Sequence, residues 1–478
     1  MKELNVDVAI IGAGTAGMGA YRGAKRHAKK VVLIEGGVYG TTCARVGCMP
    51  SKLLISAAEA VHAIEQAPEF GIFPEGRIRI DGAKVMHRVK SERDRFVGFV
   101  LESVANFPVE DKIVGYATFV DDHTLQVEDH TRITANAIVI ATGSSPVIPP
   151  VLQGLGDRLI INDDVFEWDT LPESVAVFGP GVIGLEIGQA LHRLGVRVSL
   201  LGRGGFIGPF TDPALKEYST RLFRNEFCLI TEANLIAIER QGKRVRMVYQ
   251  GKHCEEREEY FDYILAATGR QPNLDRLHLE NTTLELNSRN VPVYDHFTMQ
   301  CGNSSIFIAG DANHDLPLLH EAADEGRIAG ENAGKFPDIR SGHRTSPLGI
   351  VFCDPQIATV GMRYDQLPGD CFVTGIVSFE DQGRSRVMLK NKGLLHLYAE
   401  HGTGIFMGAE MIGPRAENIG HLLAWAHQQK LTIPQMLDMP FYHPVVEEGL
   451  RTALRDANSK LKMGPVSAKR CIDCGPGA

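Results

Sequence analysis

Aromatic residues and long apolar runs are both scarce in this sequence. Phe, Trp and Tyr make up 7% of its 478 residues, and only two residues are Trp. A membrane-spanning helix needs about 20 consecutive apolar residues, and because no segment approaches that length we expect no membrane span. Positive charge is not in excess either, since the formal net charge is −8 and no basic cluster stands out. This balance disfavours nucleic acid and anionic membranes as partners and favours small molecules or other proteins.

Cysteine is also sparse. The nine cysteines are an odd number spread over a long chain, unlike the dense, even framework of small secreted proteins. The apolar opening at residues 8–20 is not typical of a signal peptide, because Glu3 and Asp7 precede it and glycines interrupt it. We therefore expect a reducing, cytoplasmic location.

Glycine, by contrast, is abundant, with 50 residues. A short β-branched strand at residues 6–11 leads into GAGTAG, a helix to about residue 29, and a second strand that ends at Glu35. This order of strand, glycine turn, helix, strand and acid is the complete dinucleotide-binding pattern, in which the pyrophosphate meets the helix N-terminus and the acid binds a ribose. The motif glycines are Gly12, Gly14 and Gly17.

The same order of elements recurs at residues 174–201. Each copy is followed by alternating strand patterns and ends in Ala-Thr-Gly, at residues 141–143 and 267–269. A repeat on this scale predicts an α/β protein with two Rossmann-like doubly wound nucleotide-binding domains and therefore two bound nucleotides. The glycines of the second copy are Gly179, Gly181 and Gly184.

The pattern changes after the second copy. A strand stops at Gly310 and Asp311, and from about residue 346 strands are followed by helices at 416–429 and 445–457. This order predicts a separate C-terminal α+β domain. Residues 461–478 lack periodicity and are expected to form a flexible tail.

Two cysteines, Cys43 and Cys48, lie shortly after the acid of the first glycine motif. In a regular helix their Cα atoms would be about 8.6 Å apart, beyond the roughly 7 Å that a disulfide tolerates, so the segment must be distorted if the pair closes. Gly47 supplies backbone freedom, and Pro50 suits a first helical turn whose positive end would stabilise a Cys48 thiolate. One C-x4-C pair does not fit a zinc site, and we expect no metal; two ordinary buried cysteines remain the alternative.

The segment GTTCARVGCMPSK resembles the redox-active segment of class I pyridine nucleotide-disulfide oxidoreductases, which include dihydrolipoamide dehydrogenase, glutathione reductase and mercuric reductase. The Pro-Ser-Lys ending is more like dihydrolipoamide dehydrogenase or mercuric reductase than glutathione reductase, and transhydrogenases of this fold lack the cysteine pair. The resemblance covers about residues 5–457. It implies an FAD-binding domain at 1–150, an NAD(P)-binding domain at 151–272, a return segment at 273–345 that completes the FAD domain, and a dimerisation domain at 346–460.

This resemblance also implies roles for individual residues. Cys48 would lie against the flavin and Cys43 would exchange with the substrate, while Lys52 and Glu186 match an ion pair beside the flavin and nicotinamide. Asp311 matches the acid that binds the ribityl chain of FAD, although it could instead cap a helix, and the ion pair could be plain helix-face charges. The remaining nucleotide-binding residues expected from the resemblance are the six motif glycines, Glu35, Thr42, Thr142, Gly143, Arg203, Gly269, Leu319 and His320.

Near the C-terminus, His443 and Glu448 resemble the family's His-Pro motif, in which an acid five positions after the histidine orients it. A histidine beside a carboxylate is poised to accept a thiol proton. In the family this base reaches the dithiol of the other subunit, which implies a homodimer whose active sites are shared between the subunits.

The expected function is therefore dihydrolipoamide oxidation with NAD as acceptor, in company with a lipoyl-bearing protein. The alternative is an NAD(P)H-dependent reductase of another disulfide, a metal ion or a small oxidant; a non-enzymatic lipoyl-complex subunit is disfavoured because the cysteine pair and His443 are present. NADP is not excluded, because the second copy reads Leu201-Gly202-Arg203 where NAD-dependent relatives commonly carry an acid. NADP-dependent relatives usually present two arginines, and here only one is available.

A second cysteine pair, Cys471 and Cys474, departs from the lipoamide enzyme pattern. One hypothesis is that this pair relays electrons or soft metal from Cys43; the alternative is a pair of incidental thiols in a mobile tail. The other cysteines fall in no motif and are expected to be structural: Cys228, Cys254, Cys301, Cys353 and Cys371.

Overall fold

The computed structural model describes residues 1–252 and 255–462. The hypothesis of a relay at Cys471 and Cys474 lies outside the described residues, as do Cys254 and almost all of the segment 461–478. Among the described residues, no helix is both long and apolar enough to cross a membrane.

The first part of the chain forms a mixed sheet with order β3-β2-β1-β6-β5-β4. Strands β2 and β6 flank β1 in parallel, and β5 and β4 continue the sheet as an antiparallel meander. Its elements are β1 (Lys2–Ile11), α1 (Thr15–Lys25), β2 (Val31–Glu35), α2 (Thr42–Val46), α3 (Cys48–Gln66), α4 (Gly82–Ala105), β3 (Lys112–Val114), β4 (Ala117–Asp121), β5 (Thr124–Val127), β6 (Thr131–Ile140) and β7 (Ser144–Pro146).

The second part repeats the plan with a five-stranded parallel sheet of order β11-β10-β9-β15-β8 and an antiparallel sheet β12-β13-β14. Its elements are β8 (Leu159–Ile160), α5 (Asn162–Val165), β9 (Ser174–Phe178), α6 (Val182–Arg193), β10 (Arg197–Leu201), α7 (Pro213–Arg224), β11 (Cys228–Ile230), β12 (Ala233–Gln241), β13 (Arg244–Gly251), β14 (Arg257–Phe261), β15 (Tyr263–Ala266) and β16 (Arg270–Pro272).

The chain then returns to the first sheet, where β17 (Ile306–Ile308) pairs in parallel with β6 and leads through a turn at Gly310–Asn313 into α8 (Leu319–Lys335). The last part is an antiparallel sheet of order β18-β19-β22-β21-β20 covered by helices. Its elements are β18 (Leu348–Val351), β19 (Gln356–Gly361), β20 (Phe372–Ser378), α9 (Gly383–Val387), β21 (Leu394–Glu400), β22 (Phe406–Gly413), α10 (Ala416–Gln428), α11 (Ile433–Leu437) and α12 (Glu448–Lys460).

This architecture confirms the predicted fold class, with two nucleotide-binding α/β units and a C-terminal α+β unit. Two helices differ from their predicted bounds. The C-terminal helix α12 spans Glu448–Lys460 rather than residues 445–457. The first helix ends at Lys25 rather than near residue 29, because the carboxylate of Asp7 accepts hydrogen bonds from the amides of Lys29 and Lys30 at 3.0 and 2.9 Å. These bonds draw the chain away from the helix and into β2.

One apolar cluster runs through all three parts of the molecule. It contains Leu54 of α3, Leu185 of α6, Val177 of β9 and, from the C-terminal sheet, Val351 and Ile412, all essentially buried. Helices α3 and α6 therefore pack on a common core, which brings the cysteine segment next to the second glycine motif.

Candidate functional site

The cysteine pair is divided between two helices. Helix α2 ends at Val46, Gly47 adopts φ −125° and ψ −116°, and α3 begins at Cys48. A Cβ atom at position 47 would lie 3.1 Å from the carbonyl oxygen of Thr42 and 3.2 Å from Cα of Cys43. The glycine thus permits the close approach of the two cysteines that a continuous helix would prevent.

The two thiols have different proton affinities. The pKa of Cys48 is lowered to about 7, first because the Cys43 thiol donates a hydrogen bond to its sulfur and then because Lys52 attracts the thiolate, which together outweigh burial. The pKa of Cys43 is raised, since it holds the shared proton and is partly buried. The pair therefore carries its negative charge on Cys48, at the N-terminus of α3.

Lys52 forms an ion pair with Glu186, on the opposite helix α6. Its Nζ lies 3.0 and 2.8 Å from the two carboxylate oxygens of Glu186, a residue only 5% exposed. The backbone amide of Phe352 also donates to Glu186 at 2.9 Å, and Lys52 lies 4.7 Å from the centre of the Phe352 ring. The ion pair is thus held between α3, α6 and the C-terminal unit.

A long cleft follows the first glycine motif. One cavity of about 630 Å³ is lined by Gly12, Glu35 and Thr142, and a second of about 290 Å³ by Cys48 and Asp311. Both share the lining residues Gly14, Thr42 and Gly143, so they form one continuous cleft. The cleft leads from the end of β2 to the cysteine pair.

The chemistry of this cleft fits FAD. A Cβ at Gly12 would lie 2.3 Å from the carbonyl oxygen of Ala141, and one at Gly17 would lie 1.8 Å from that of Gly12, whereas a Cβ at Gly14 would meet nothing within 4 Å. Two of the glycines are therefore required by the fold, while Gly14 leaves room beside the helix N-terminus for a pyrophosphate. The hydroxyl of Thr142 is buried without a hydrogen-bond partner among the described residues.

Glu35 and Asp311 lie at the two ends of this cleft. Glu35 accepts hydrogen bonds from the amides of Ala13 and Gly37, both at 2.7 Å. Asp311 accepts one from the Ser144 hydroxyl at 2.7 Å. Both carboxylates keep further acceptor capacity for hydroxyl groups of a ligand.

Leu319 begins α8 and lines the cleft, so the helix N-terminus points toward the cysteine end. His320 does not line either cavity; it lies half exposed, 3.8 Å from Glu321. Its predicted role at the nucleotide therefore has no support from its position.

Two residues that sequence reasoning missed connect the halves of the cleft. Arg270 donates to the hydroxyl and carbonyl oxygens of Ser144 at 2.8 and 2.6 Å, and Ser144 in turn binds Asp311. Each of these two residues directly follows an Ala-Thr-Gly segment, so the repeated tripeptide could have pointed to them in the sequence. Arg270 lines both cavities.

The second unit reproduces the glycine contacts of the first. A Cβ at Gly179 would lie 2.2 Å from the carbonyl oxygen of Ala267, one at Gly184 would lie 1.9 Å from that of Gly179, and Gly181 is open. Gly269 adopts φ +114° in the second Ala-Thr-Gly. The same space for a pyrophosphate is therefore present beside α6.

His443 and Glu448 form a second group of candidate residues. Nδ1 of His443 lies 3.0 and 3.1 Å from the carboxylate oxygens of Glu448, and the hydrogen bond from His443 lowers the pKa of Glu448. The amide of Val445 donates to the same carboxylate at 3.2 Å. The His443 side chain is 80% exposed and does not line the cysteine cleft of its own chain.

An apolar groove of about 540 Å³ adjoins this histidine. Its lining includes Trp425 and Tyr442, which are 65% and 79% exposed, and Met439. Large apolar side chains exposed side by side are typical of a protein interface.

The fold and the cleft define a two-nucleotide oxidoreductase with a dithiol between the nucleotide sites. The chain belongs to the pyridine nucleotide-disulphide oxidoreductase family. Residues 6–326 match the sequence model of this family, and residues 348–454 match the model of its dimerisation domain. Membership implies a flavoprotein that acts on sulfur groups with FAD and NAD(P), and the dimerisation domain indicates a homodimer.

Relatives with two different activities are similar to nearly the whole chain. Mercuric reductase of Shigella flexneri is 30% identical over 95% of this chain and 81% of that protein. Dihydrolipoyl dehydrogenase of Bacillus subtilis (strain 168) is 28% identical over 94% of this chain and 97% of that protein.

Solved structures show the same fold. The HOCl-induced flavoprotein disulfide reductase RclA from Escherichia coli has a TM-score of 0.77 at 24% identity, over 95% of this chain and 99% of that one. LpdA from Mycobacterium tuberculosis has a TM-score of 0.79 at 23% identity, over the same shares of the two chains.

Proposed function

We propose that this chain is an FAD-dependent dithiol–disulfide oxidoreductase whose working pair is Cys43 and Cys48. The observation that carries the proposal is the asymmetry of the two thiols. Cys48 has a pKa near 7, one helical turn before the Lys52 ammonium, while Cys43 retains its proton. One sulfur is thus prepared to hold negative charge inside the cleft and the other to exchange with a substrate.

FAD bound in the cleft would supply two-electron redox chemistry between the dithiol and a nicotinamide nucleotide. The motif glycines, Glu35 and Asp311 would hold it, with Thr142 as a further donor. Lys52 would stabilise negative charge on Cys48, and Glu186 would fix the position of Lys52.

The exchange with an external dithiol follows from the same geometry. A substrate thiol gives its proton to His443 and attacks the Cys43 sulfur, the Cys43–Cys48 bond breaks, and Cys48 leaves as a thiolate. The second substrate thiol then gives up its proton as it attacks the mixed disulfide, and the released Cys43 sulfur takes up that proton. The substrate leaves as a disulfide, and the enzyme pair has gained two electrons. In the reductive direction these steps run in reverse.

We assign the base to the second subunit. His443 is solvent-exposed beside the apolar groove and does not line the cysteine cleft of its own chain, while Glu448 orients the ring through Nδ1. A homodimer that buries the groove would bring His443 to the other chain's Cys43. We propose a cytoplasmic location, because a dithiol that cycles in this way suits a reducing compartment.

Dihydrolipoamide, oxidised with NAD, is the first candidate substrate. It is supported by the Pro-Ser-Lys ending of the cysteine segment and by relatives named dihydrolipoyl dehydrogenase, which the chain covers almost completely. A lipoyl-bearing protein would then be the partner.

An NAD(P)H-driven reductase of another disulfide, a metal ion or a small oxidant is the second candidate. Mercuric reductases are among the relatives. A specific observation also favours this direction: the end of β10 carries Gly202 and Arg203 in place of an acid.

Counting titratable thiols tests whether the Cys43–Cys48 pair is redox-active, and it can be done before any substrate is known. FAD-loaded protein, reduced anaerobically with NADH or NADPH and then denatured, is expected to show two more titratable thiols than the oxidised protein. Cys43→Ser and Cys48→Ser variants should show no such gain, while Cys228→Ser should retain it. If reduction adds no thiols in the wild type, the proposal is wrong.

A substrate panel then separates the two candidates. Dihydrolipoamide with NAD is compared with lipoamide, glutathione disulfide and mercuric ion, each with NADH and NADPH. Turnover confined to dihydrolipoamide and NAD selects the first candidate, and turnover only in the reductive assays selects the second.

A further inference from the structure

The internal repeat allows the two nucleotide sites to be compared position by position. In the first unit the amide of Gly12 donates to the carbonyl of Ile34 at 2.7 Å; in the second, Gly179 donates to Leu201 at 2.8 Å. These equivalent bonds fix the register. The residue after Ile34 is Glu35, so the position of Glu35 is taken in the second unit by Gly202.

The partner of Glu35 has changed as well. In the first unit Glu35 accepts a hydrogen bond from the amide of Ala13. The equivalent of Ala13 is Pro180, which has no N–H group. A Cβ at Gly202 would lie 2.6 Å from Cγ of Pro180. A carboxylate at this place is therefore both without its donor and sterically excluded.

The loss of this carboxylate changes which adenosine ribose the second site favours. An acid at this position binds the ribose 2′-hydroxyl, and its negative charge repels a 2′-phosphate. With Gly202 here, the second site has neither the favourable bond to a hydroxyl nor the repulsion of a phosphate.

The next residue supplies a positive charge. Arg203 is exposed and makes no hydrogen bond or ion pair with the residues that the structure describes, whereas its counterpart in the first unit is Gly36. A guanidinium binds a phosphate through several charge-assisted hydrogen bonds. Where the first unit has Glu35 and Gly36, the second unit therefore has Gly202 and Arg203.

The backbone that carries Arg203 is fixed. Gly202 donates to the carbonyl of Ile230 at 2.7 Å, and Gly205 donates to that of Thr231 at 3.1 Å. The nearby carboxylate of Glu232 is paired with Lys252 at 2.9 Å, which offsets its charge. Because the loop is already ordered, phosphate binding need order only the arginine side chain.

We propose that the second nucleotide site selects a dinucleotide with a 2′-phosphate, NADP(H), through Arg203. This inference rests on the proposed function only in that a nicotinamide nucleotide delivers or accepts the electrons. It favours the reductive candidate, in which NADPH supplies electrons to the cysteine pair.

Equilibrium binding tests the inference without turnover. Calorimetric titration of the FAD-loaded protein compares NADP⁺ with NAD⁺, and the fragments 2′,5′-ADP with 5′-AMP. We expect the phosphorylated member of each pair to bind at least about tenfold more tightly, and this ratio to fall at high salt. Equal affinities, or tighter binding of NAD⁺, would overturn the proposal.

Variants identify the residue responsible. Arg203→Gln should bring the two affinities to within about twofold, while Arg289→Gln, at an exposed arginine outside the second unit, should leave the ratio unchanged. FAD content and circular dichroism verify that both variants are folded. An undiminished ratio in Arg203→Gln would show that Arg203 does not select the phosphate.

A triple variant can give the second nucleotide site the residues found at the equivalent positions of the first. The triple variant Pro180→Ala, Gly202→Glu, Arg203→Gly removes the steric conflict and restores the carboxylate with its amide donor, so its preference should reverse toward NAD⁺ and 5′-AMP. Unchanged preference for the phosphorylated ligands would contradict the proposal. Selective binding of the phosphorylated ligands by a protein that gains no thiols on reduction would refute the proposed function and leave this inference intact.

Discussion

Lys52 and Glu186 join the helix that begins with Cys48 to the helix that follows the second glycine motif, with Nζ 2.8 and 3.0 Å from the two carboxylate oxygens. The pair therefore places one positive and one negative charge close to the same sulfur. Lys52 lowers the pKa of Cys48, and Glu186 raises it.

Substitutions of these two residues should shift the Cys48 titration in opposite directions. Lys52→Met removes the attraction and should raise the pKa of Cys48 above its value of about 7, whereas Glu186→Gln should lower it. The measurement is the pH dependence of the thiolate–flavin charge-transfer absorbance in the two-electron-reduced protein. The exposed Lys84→Met is the control, and shifts of the same sign in both variants would contradict the assignment.

His443→Gln should separate the two half-reactions. Loss of a positioned base costs about 10² to 10⁴ in rate, so exchange with an external dithiol or disulfide should slow by that factor. Flavin reduction by the nicotinamide nucleotide should not change. Stopped-flow measurement of each half-reaction provides the test, with the exposed His87→Gln as control. Equal slowing of both half-reactions would indicate a structural defect instead.

Glycine substitutions in the first motif should have distinct consequences. Gly14→Ala places a methyl group in open space, so the apoprotein should fold normally but retain FAD poorly. Gly17→Ala would bring Cβ to 1.8 Å from the Gly12 carbonyl oxygen and should impair folding itself. FAD content and thermal unfolding are compared, with Gly98→Ala as a second open position on α4. Full FAD retention in Gly14→Ala would place the pyrophosphate elsewhere.

Trp425→Glu should dissociate the homodimer. It introduces a charge into the exposed apolar groove beside His443, and light scattering should show half the molecular mass. Since the base would come from the second subunit, dithiol exchange should be lost while flavin reduction persists. Phe73→Glu, at a similarly exposed apolar residue outside the groove, is the control. A dimeric and fully active Trp425→Glu would mean that the interface lies elsewhere.

Asp212 should make stability sensitive to acid. Burial opposes its ionisation, but hydrogen bonds from His396 and Tyr398, the attraction of His396 and the amide of Ala214 lower its pKa below the ordinary value. Its contribution to stability is therefore present above pH about 4 and lost as pH falls through the lowered pKa. Asp212→Asn should cost about 1–3 kcal/mol of unfolding free energy at pH 7.

Urea denaturation at pH 7 and pH 3 provides the test for Asp212. The difference between wild type and Asp212→Asn should narrow at pH 3, while the more exposed cap Asp81→Asn should show a small difference at both. A difference at pH 3 as large as at pH 7 would refute the proposed ionic contribution.

Part of this structure could be predicted from the local sequence alone. The break at Gly47 follows from helix geometry, because five residues along a regular helix separate Cys43 and Cys48 too widely. The two glycine motifs were predictable for a similar reason: strand, turn and helix are consecutive in the chain.

Contacts across long sequence separations could not be predicted in this way. The link from Arg270 through Ser144 to Asp311 depends on the antiparallel pairing of β7 with β16, which no local pattern encodes. The joint loss of an amide at Pro180 and a carboxylate at Gly202 acquires its meaning only when the registers of both sheets are known. The position of His443 outside its own cysteine cleft likewise required tertiary structure.

The apolar cluster shared by α3, α6 and the C-terminal sheet has a consequence for unfolding. Leu54, Leu185 and Ile412 would all become exposed if any one of the three parts detached, at a cost proportional to the apolar area uncovered. Separate domains commonly melt in separate steps. Each part also has an apolar cluster of its own, but the shared cluster stays buried only while all three parts are in place. We therefore expect heat to melt them in a single cooperative transition, without accumulation of a partly melted protein that keeps one nucleotide site.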